Sequence, residues 1–290
     1  MADAEAHSAP ADPILASARA FEPDRYYTAL MAPSNVRDDL MVLAAFAGEI
    51  ARIPAFVTEP MMGEIRLQWW RDALSGPVAT GHPIADPLRA ALAKHALPAD
   101  VLDPAIDATT DLLKPAPFDD LAALEHHFAA RDGTLFRAAA VMLGRADADA
   151  DAAAAAAFNV CGAALGFAVT AVEVPAVLAQ GRTLVPRSLL NDHGIPDLDR
   201  LPRGPGGRPI AEPWRAIRIA LADHAAERFE AARKAVHAQD RRVITACRPM
   251  AMVPPYCRLI RRLLPEQGLA SRDVLPLHRF WRIWRGISVR

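Results

Sequence analysis

Charged residues at helical spacing are the first feature of this 290-residue chain that suggests chemistry. Glu64, Gln68 and Arg71 fall on one stripe of a helical stretch whose other positions hold Ile65, Trp69, Trp70 and Leu74. Glu49 and Arg52, three apart in an otherwise apolar run, make a second polar island. Charges on core helices normally come in pairs. The two islands therefore read either as ion pairs that fix helix register or as walls of a polar cavity inside a bundle. Other reactive residue types offer less. The histidines show neither HExxH nor paired i, i+4 spacing, and adjacent His126 and His127 point to different faces, so no metal site is expected from them. Cys161, Cys247 and Cys257 form no CxxC, which suits a reduced intracellular chain without disulfide framework or zinc ribbon. There is no GxSxG elbow, and the glycine-rich PRGPGGRP (202–209) lacks the Lys-Ser/Thr of a P-loop and reads as a linker.

The elements that would position these residues are helices. Alanine, the best helix former, supplies 61 residues, and nothing alternates with period two for long enough to make a sheet. Ser34 can cap a helix carrying Leu40, Leu43, Phe46, Ala47, Ile50 and Ile53 at i, i+3, i+4, i+7 spacing, which Pro54 ends or kinks. Further helical patterns cover 61–74, 87–95, 104–113, 118–143, 152–179, 187–191, 213–239, 241–264 and 274–287. The expectation is one all-α helical domain over 21–290, preceded by a disordered tail over 1–20 that resembles neither a signal peptide nor a presequence. Residues 152–172 run without a charge and match a bilayer in length, but their alanine content and acidic approach favour the buried core helix of a large bundle.

The net charge of -1 hides an asymmetry. Beyond residue 240 there are 11 arginines against Glu266 and Asp273, whereas the rest of the chain is acidic. Such an end suits an anionic surface, or it closes ion pairs onto the acidic body. In the last helix Leu277, Phe280, Trp281, Trp284 and Ile287 line one side, with Arg279, Arg282 and Arg285 largely elsewhere, as an interfacial helix requires. Phe280, Trp281, Arg282, Trp284 and Arg285 are the expected membrane contacts; the alternative is that the aromatics cover the core. No nucleic acid is expected as partner, since such binding would rest on the arginine tail alone.

Set in order, several segments resemble the squalene/phytoene synthase family. These are Tyr26-Tyr27, MAPSNVRDDLMVLAAF (31–46), RLQWWRDAL (66–74), FDDLAALEHHFAARDG (118–133), GRTLVPRSLLNDHGI (181–195) and Pro255-Tyr256. Pro33 and Phe46 keep the family's thirteen-residue interval, Arg37 its offset from that proline, and Arg182, Leu184 and Pro186 the late segment. The similarity covers about residues 21 to 265. It implies an isoprenoid synthase fold with a central cavity, in which active members bind two prenyl diphosphates and hold Mg²⁺ on two facing Asp-rich motifs. Carboxylates one turn apart present oxygens on one face, which suits a hard cation.

The chain departs from the family at those motifs. The first pair of acids falls on Ala51 and Arg52, and Glu173 is the sole acid between Asp151 and Asp192, in a segment about one turn short. AFxxExAxI (45–53) with LQWWRDAL resembles the branch that includes the mitochondrial assembly factor of respiratory complex I, which keeps the fold and lacks the Asp motifs. The resemblance thus implies a non-catalytic, membrane-associated accessory or assembly factor, with complex I as client and an isoprenoid or lipid tail in the cavity. No catalytic residue, metal or cofactor is expected on that reading. The alternative is an active synthase condensing two prenyl diphosphates, in which Glu49 and Glu173 recruit Mg²⁺. Ligand-binding candidates are Tyr27, Arg37, Glu49, Arg52, Glu64, Gln68, Arg71, Glu173 and Arg182. The expected location is the cytoplasm, with the inner face of a bacterial plasma membrane as the place of peripheral attachment.

Overall fold

In the computed structural model, residues 12–114, 116, 118–145, 151–195 and 210–287 are described. The glycine-rich linker expected at 202–209 lies outside them, as do residues 1–11. The described residues form helices and no strand. Of the tail expected over 1–20, the part over 12–20 is corrected: Asp12 caps a helix α1 (Pro13–Phe21) by accepting from the Ile14 amide, with Pro13 at its first position. Ser17 and Ala18 are buried where α1 packs on α3 (Ser34–Phe56), and Gly48 makes the close approach possible, since a Cβ there would lie 2.8 Å from the Phe21 Cβ.

Between them lies α2 (Pro23–Leu30), and α4 (Pro60–Ser75), α5 (Ala85–Lys94) and α6 (Asp103–Asp111) follow α3. Helix α3 runs two residues past Pro54, whose ring is accommodated near the end. Helices α7 (Leu121–Phe128) and α8 (Thr134–Met142) are joined by a π-helical segment (Ala129–Gly133), so the pattern read over 118–143 is one rod with a widened turn.

Helix α9 (Ala152–Leu178) is the charge-poor segment, and its small side chains pack along α11 (Ala211–His237) and against the π segment. It is long and apolar enough to cross a membrane, yet most of that stretch is buried inside the bundle, as a core helix would be. Helix α10 (Arg187–Asp192) leads toward α11. The single helix expected over 241–264 is three pieces: α12 (Arg241–Ala246), a 3₁₀ turn (Arg248–Met252) and α13 (Val253–Arg261). Prolines at 249, 254 and 255 supply no backbone donors there, so a continuous ladder cannot form. Helix α14 (Pro276–Arg285) closes the chain against α2 and the 3₁₀ turn.

Candidate functional site

Arg25 on α2 and Asp132 on the π segment meet in the interior at 2.5 Å. Glu22, at the N-terminal end of α2, takes Arg131 at 2.6 Å and Arg25 at 3.3 Å, and Arg131 also reaches Asp132 at 3.3 Å. Asp132 and Arg25 are buried, so this is a lattice of charges removed from water and answered by one another. The π turn is what aims both Arg131 and Asp132 inward from adjacent positions. Gly162 and Gly166 of α9 give it room: a Cβ at 162 would stand 2.6 Å from the Phe128 carbonyl oxygen, and one at 166 would meet the Phe128 ring at 2.2 Å.

A second cluster abuts the first. Arg279 of α14 donates to Asp24 of α2 and, at 2.6 Å, to the Tyr256 hydroxyl, which in turn donates to Asp24 at 2.9 Å. Asp273 accepts a further bond from Arg279 at 2.7 Å. Burial raises the Asp24 pKa to about 6, with Arg279 and the Tyr256 hydroxyl pulling it back. Burial works against the Arg279 charge as well, but Asp24, Tyr256 and Asp273 outweigh it and hold the guanidinium charged. Arg279 therefore points into the body, and for this arginine the reading in which the basic end closes ion pairs onto the acidic body holds.

Glu173 on α9 sits in a recess crowded by protein although its side chain remains accessible to water. Desolvation in that recess pushes its pKa up to about 7 against the pull of Arg131, while Glu22, Asp273 and Asp132 push the same way. Its charged neighbours are thus the central lattice, and Glu49 is not among them. Glu49 accepts from Ser17 of α1 at 2.8 Å and pairs with Arg52 at 3.2 Å, and the Arg52 guanidinium lies over the rings of Phe21 and Phe56. The two carboxylates proposed to share Mg²⁺ belong to different surroundings.

The remaining candidates divide between two open clefts on either side of α4. Glu64, Gln68 and Arg71 line a cleft of about 1020 Å³ between α4, α6 and α7, together with Asp107, Phe118 and His126. There Arg71 donates to Asp107 and, at 3.3 Å, to Gln68, while Gln68 donates to Asp72 at 2.8 Å. His127 closes the floor: it is buried, lies 5.0 Å from the Phe118 ring, and leaves Nδ1 without a partner among the described residues. Burial, with the Arg131 charge nearby, pushes its pKa down to about 4, so the ring is neutral. Glu49 and Arg52 line the other cleft, about 580 Å³, with Trp69, Trp70 and His82. Ile65 borders both.

Three candidates stand outside the clefts. Arg37 donates to the Ala32 carbonyl at the start of α3. Arg182 donates to the Leu112 carbonyl just beyond α6, its pKa lowered by burial. Tyr27 packs edge-on against Tyr26 and Phe280 beneath α14. Sequence reasoning passed over Glu22, Asp24, Arg25, Arg131, Asp132 and Asp273. The available signal was EPDR (22–25) before the tyrosine pair and Arg131-Asp132 inside an apolar helix, charges with no local reason to be there.

The residues present do not fit the divalent ion of the family's active members. Where the resemblance places the two acidic motifs the chain has Ala51 and Arg52 and the lone Glu173, and no group of three His, Cys, Asp or Glu among the described residues is arranged to hold a metal. The carboxylates of the centre are already bound to guanidinium groups, which supply the positive charge a cation would bring.

A family model described as squalene/phytoene synthase matches residues 18–281. The fold is similar to a squalene synthase, HpnC, from Alicyclobacillus acidocaldarius, at 21% identity and TM-score 0.66, covering 88% of this chain and 92% of that one. It is also similar to a dehydrosqualene synthase solved with a ligand, at 11% identity and TM-score 0.67 over 94% of each chain. YisP from Bacillus subtilis subsp. subtilis strain 168 matches at 13% identity and TM-score 0.65 over 93% of each. At these identities the likeness is one of fold. No curated protein sequence matches this chain.

Proposed function

This chain belongs to the squalene/phytoene synthase family, and we propose that it is a member that has given up prenyl transfer and serves as an accessory or assembly factor. The observation that carries the reading is the lattice of Arg25, Arg131, Glu22 and Asp132, with Glu173 beside Arg131. Ionising a prenyl diphosphate requires mobile divalent charge that follows the leaving group. Guanidinium groups fixed to the chain's own carboxylates cannot follow it.

What remains is recognition. The cleft of about 1020 Å³ sets Ile65, Phe118, Ala108, Ala123 and Ala130 beside polar Gln68, Thr110 and His126, a mixed lining that supports an isoprenoid or lipid tail with a polar end. The client is respiratory complex I, a proposal supported by the likeness of residues 45–53 and 67–74 to the branch that includes its mitochondrial assembly factor.

Two measurements test this. Purified protein incubated with farnesyl or geranylgeranyl diphosphate and Mg²⁺ should release no pyrophosphate above a protein-free control; clear turnover would restore the active-synthase reading with Glu49 and Glu173 at Mg²⁺. Deleting the gene should lower NADH-dependent respiration and the amount of assembled complex I, and unchanged levels would remove the client assignment.

A further inference from the structure

Helix α14 (Pro276–Arg285) is held to the body by one face and presents an apolar face to solvent. The inward face is Arg279 and Ile283, both buried, with Arg279 tied to Asp24, Tyr256 and Asp273. Leu277, Phe280, Trp281 and Trp284 follow i, i+3, i+4, i+7 spacing and so share the opposite side. Their exposures are 80%, 42%, 45% and 63%, so Leu277 and Trp284 stand mostly clear of the core, Trp281 is about half exposed, and Phe280 shares its ring between solvent and an edge-on contact with Tyr27. Ile287, expected on the same side, lies beyond the helix and is buried.

One border of this apolar face, the side next to Trp281, is cationic. Arg285 stacks over Trp281 at 4.7 Å, and Arg282 is crowded enough by burial, Arg258 and Arg285 that its pKa is lowered. No acid lies in the last seventeen residues of the chain, 274–290. A helix of ten residues spans about 15 Å, half a hydrocarbon core, so it cannot cross a bilayer but can lie along one.

From this geometry we infer that α14 is an interfacial docking helix which seats the protein on an anionic lipid bilayer, with Leu277, Phe280, Trp281 and Trp284 among the acyl chains and Arg258, Arg282 and Arg285 at the headgroups. Amphipathic tryptophan belongs at that depth, and arginines at its edge are attracted by anionic lipid. Buried Arg279 and Ile283 tie α14 to the body, so the bundle is seated on the surface through this helix. None of this depends on whether the protein retains prenyl transfer.

The full chain is tested by co-sedimentation with vesicles of equal parts phosphatidylcholine and phosphatidylglycerol, and with phosphatidylcholine alone. Binding is expected to the first, weakening as salt rises, with a blue shift of tryptophan emission and quenching by brominated acyl chains. Arg285→Gln and Arg258→Gln should each weaken binding about fivefold, the factor given by ~1 kcal/mol per cation. Trp281→Ala with Trp284→Ala should weaken it more than tenfold while the far-ultraviolet circular dichroism is unchanged. Absence of binding, binding indifferent to the tryptophan pair, or a concentration-dependent dimer that the pair abolishes would each overturn the assignment, the last in favour of a second copy of the chain.

Discussion

Replacing Gly162 with alanine pits helix propensity against packing, and the two disagree in sign. Propensity alone makes Gly162→Ala stabilising by about 1 kcal/mol in the middle of α9. The new methyl, however, would stand 2.6 Å from the Phe128 carbonyl oxygen, 2.8 Å from the Gly133 nitrogen and 3.2 Å from the Asp132 Cβ. Carbon to oxygen contact begins at about 3.3 Å, so α9 and the π segment must part by roughly 0.7 Å. The two nearest atoms are backbone, which no rotamer change relieves. Overpacking of this kind costs about 1–3 kcal/mol, and with the upper part of that range set against the propensity gain the net is a destabilisation of about 1–2 kcal/mol. For a chain of this size that corresponds to a fall of roughly 2–8 °C in Tm. Thermal unfolding followed by circular dichroism, with urea titration to check that the slope is unchanged, measures it. A Gly162→Ala protein as stable as the parent would refute the close seating of α9 on the turn that carries Arg131 and Asp132.

Arg279→Met removes a buried guanidinium and strands Asp24 beside Tyr256, so unfolding in urea should show a loss of about 3–5 kcal/mol; Arg261→Met, whose pair with Asp223 is exposed, should change stability by under ~1 kcal/mol. Asp24 links folding to pH: its pKa is raised from 3.8 to about 6, so the stability it contributes is complete below the unfolded value and is lost as pH rises through the folded one. Wild type should therefore gain about 2 kcal/mol relative to Asp24→Asn as pH falls from about 7 to about 4, and parallel stability profiles of the two proteins would contradict this.

Much of the fold is legible in the chain because helix formation is local. Apolar residues three and four apart and the alanine run of α9 each declare a helix within their own length, whereas Ser34, read as a cap, is the first residue of α3, with Pro33 at the cap position and no side-chain capping bond. Family membership is legible for a related reason, since MAPSNVRDDLMVLAAF, RLQWWRDAL and GRTLVP keep their order along the chain. The absence of paired acids at Ala51, Arg52 and around Glu173 is likewise a property of the sequence alone.

Local patterns fail where a charge finds its partner far along the chain. Arg25 meets Asp132 107 positions away, and Arg279 meets Asp24 255 positions away; no spacing rule reaches that far, so only tertiary packing makes a centre of them. In α14 the i, i+4 pattern marks two amphipathic faces but cannot say which one the body takes. Burying Arg279 is favourable only because Asp24, Tyr256 and Asp273 converge on it, and this convergence leaves the tryptophans outside. The same holds for Glu49 and Glu173, alike as lone acids in sequence, which packing assigns to a surface cleft and to the edge of an arginine lattice. Sequence determined the helices, because their hydrogen bonds close within four residues. The pairing of charges was decided by the tertiary structure, because Coulomb energy depends on distance in space and on removal from water.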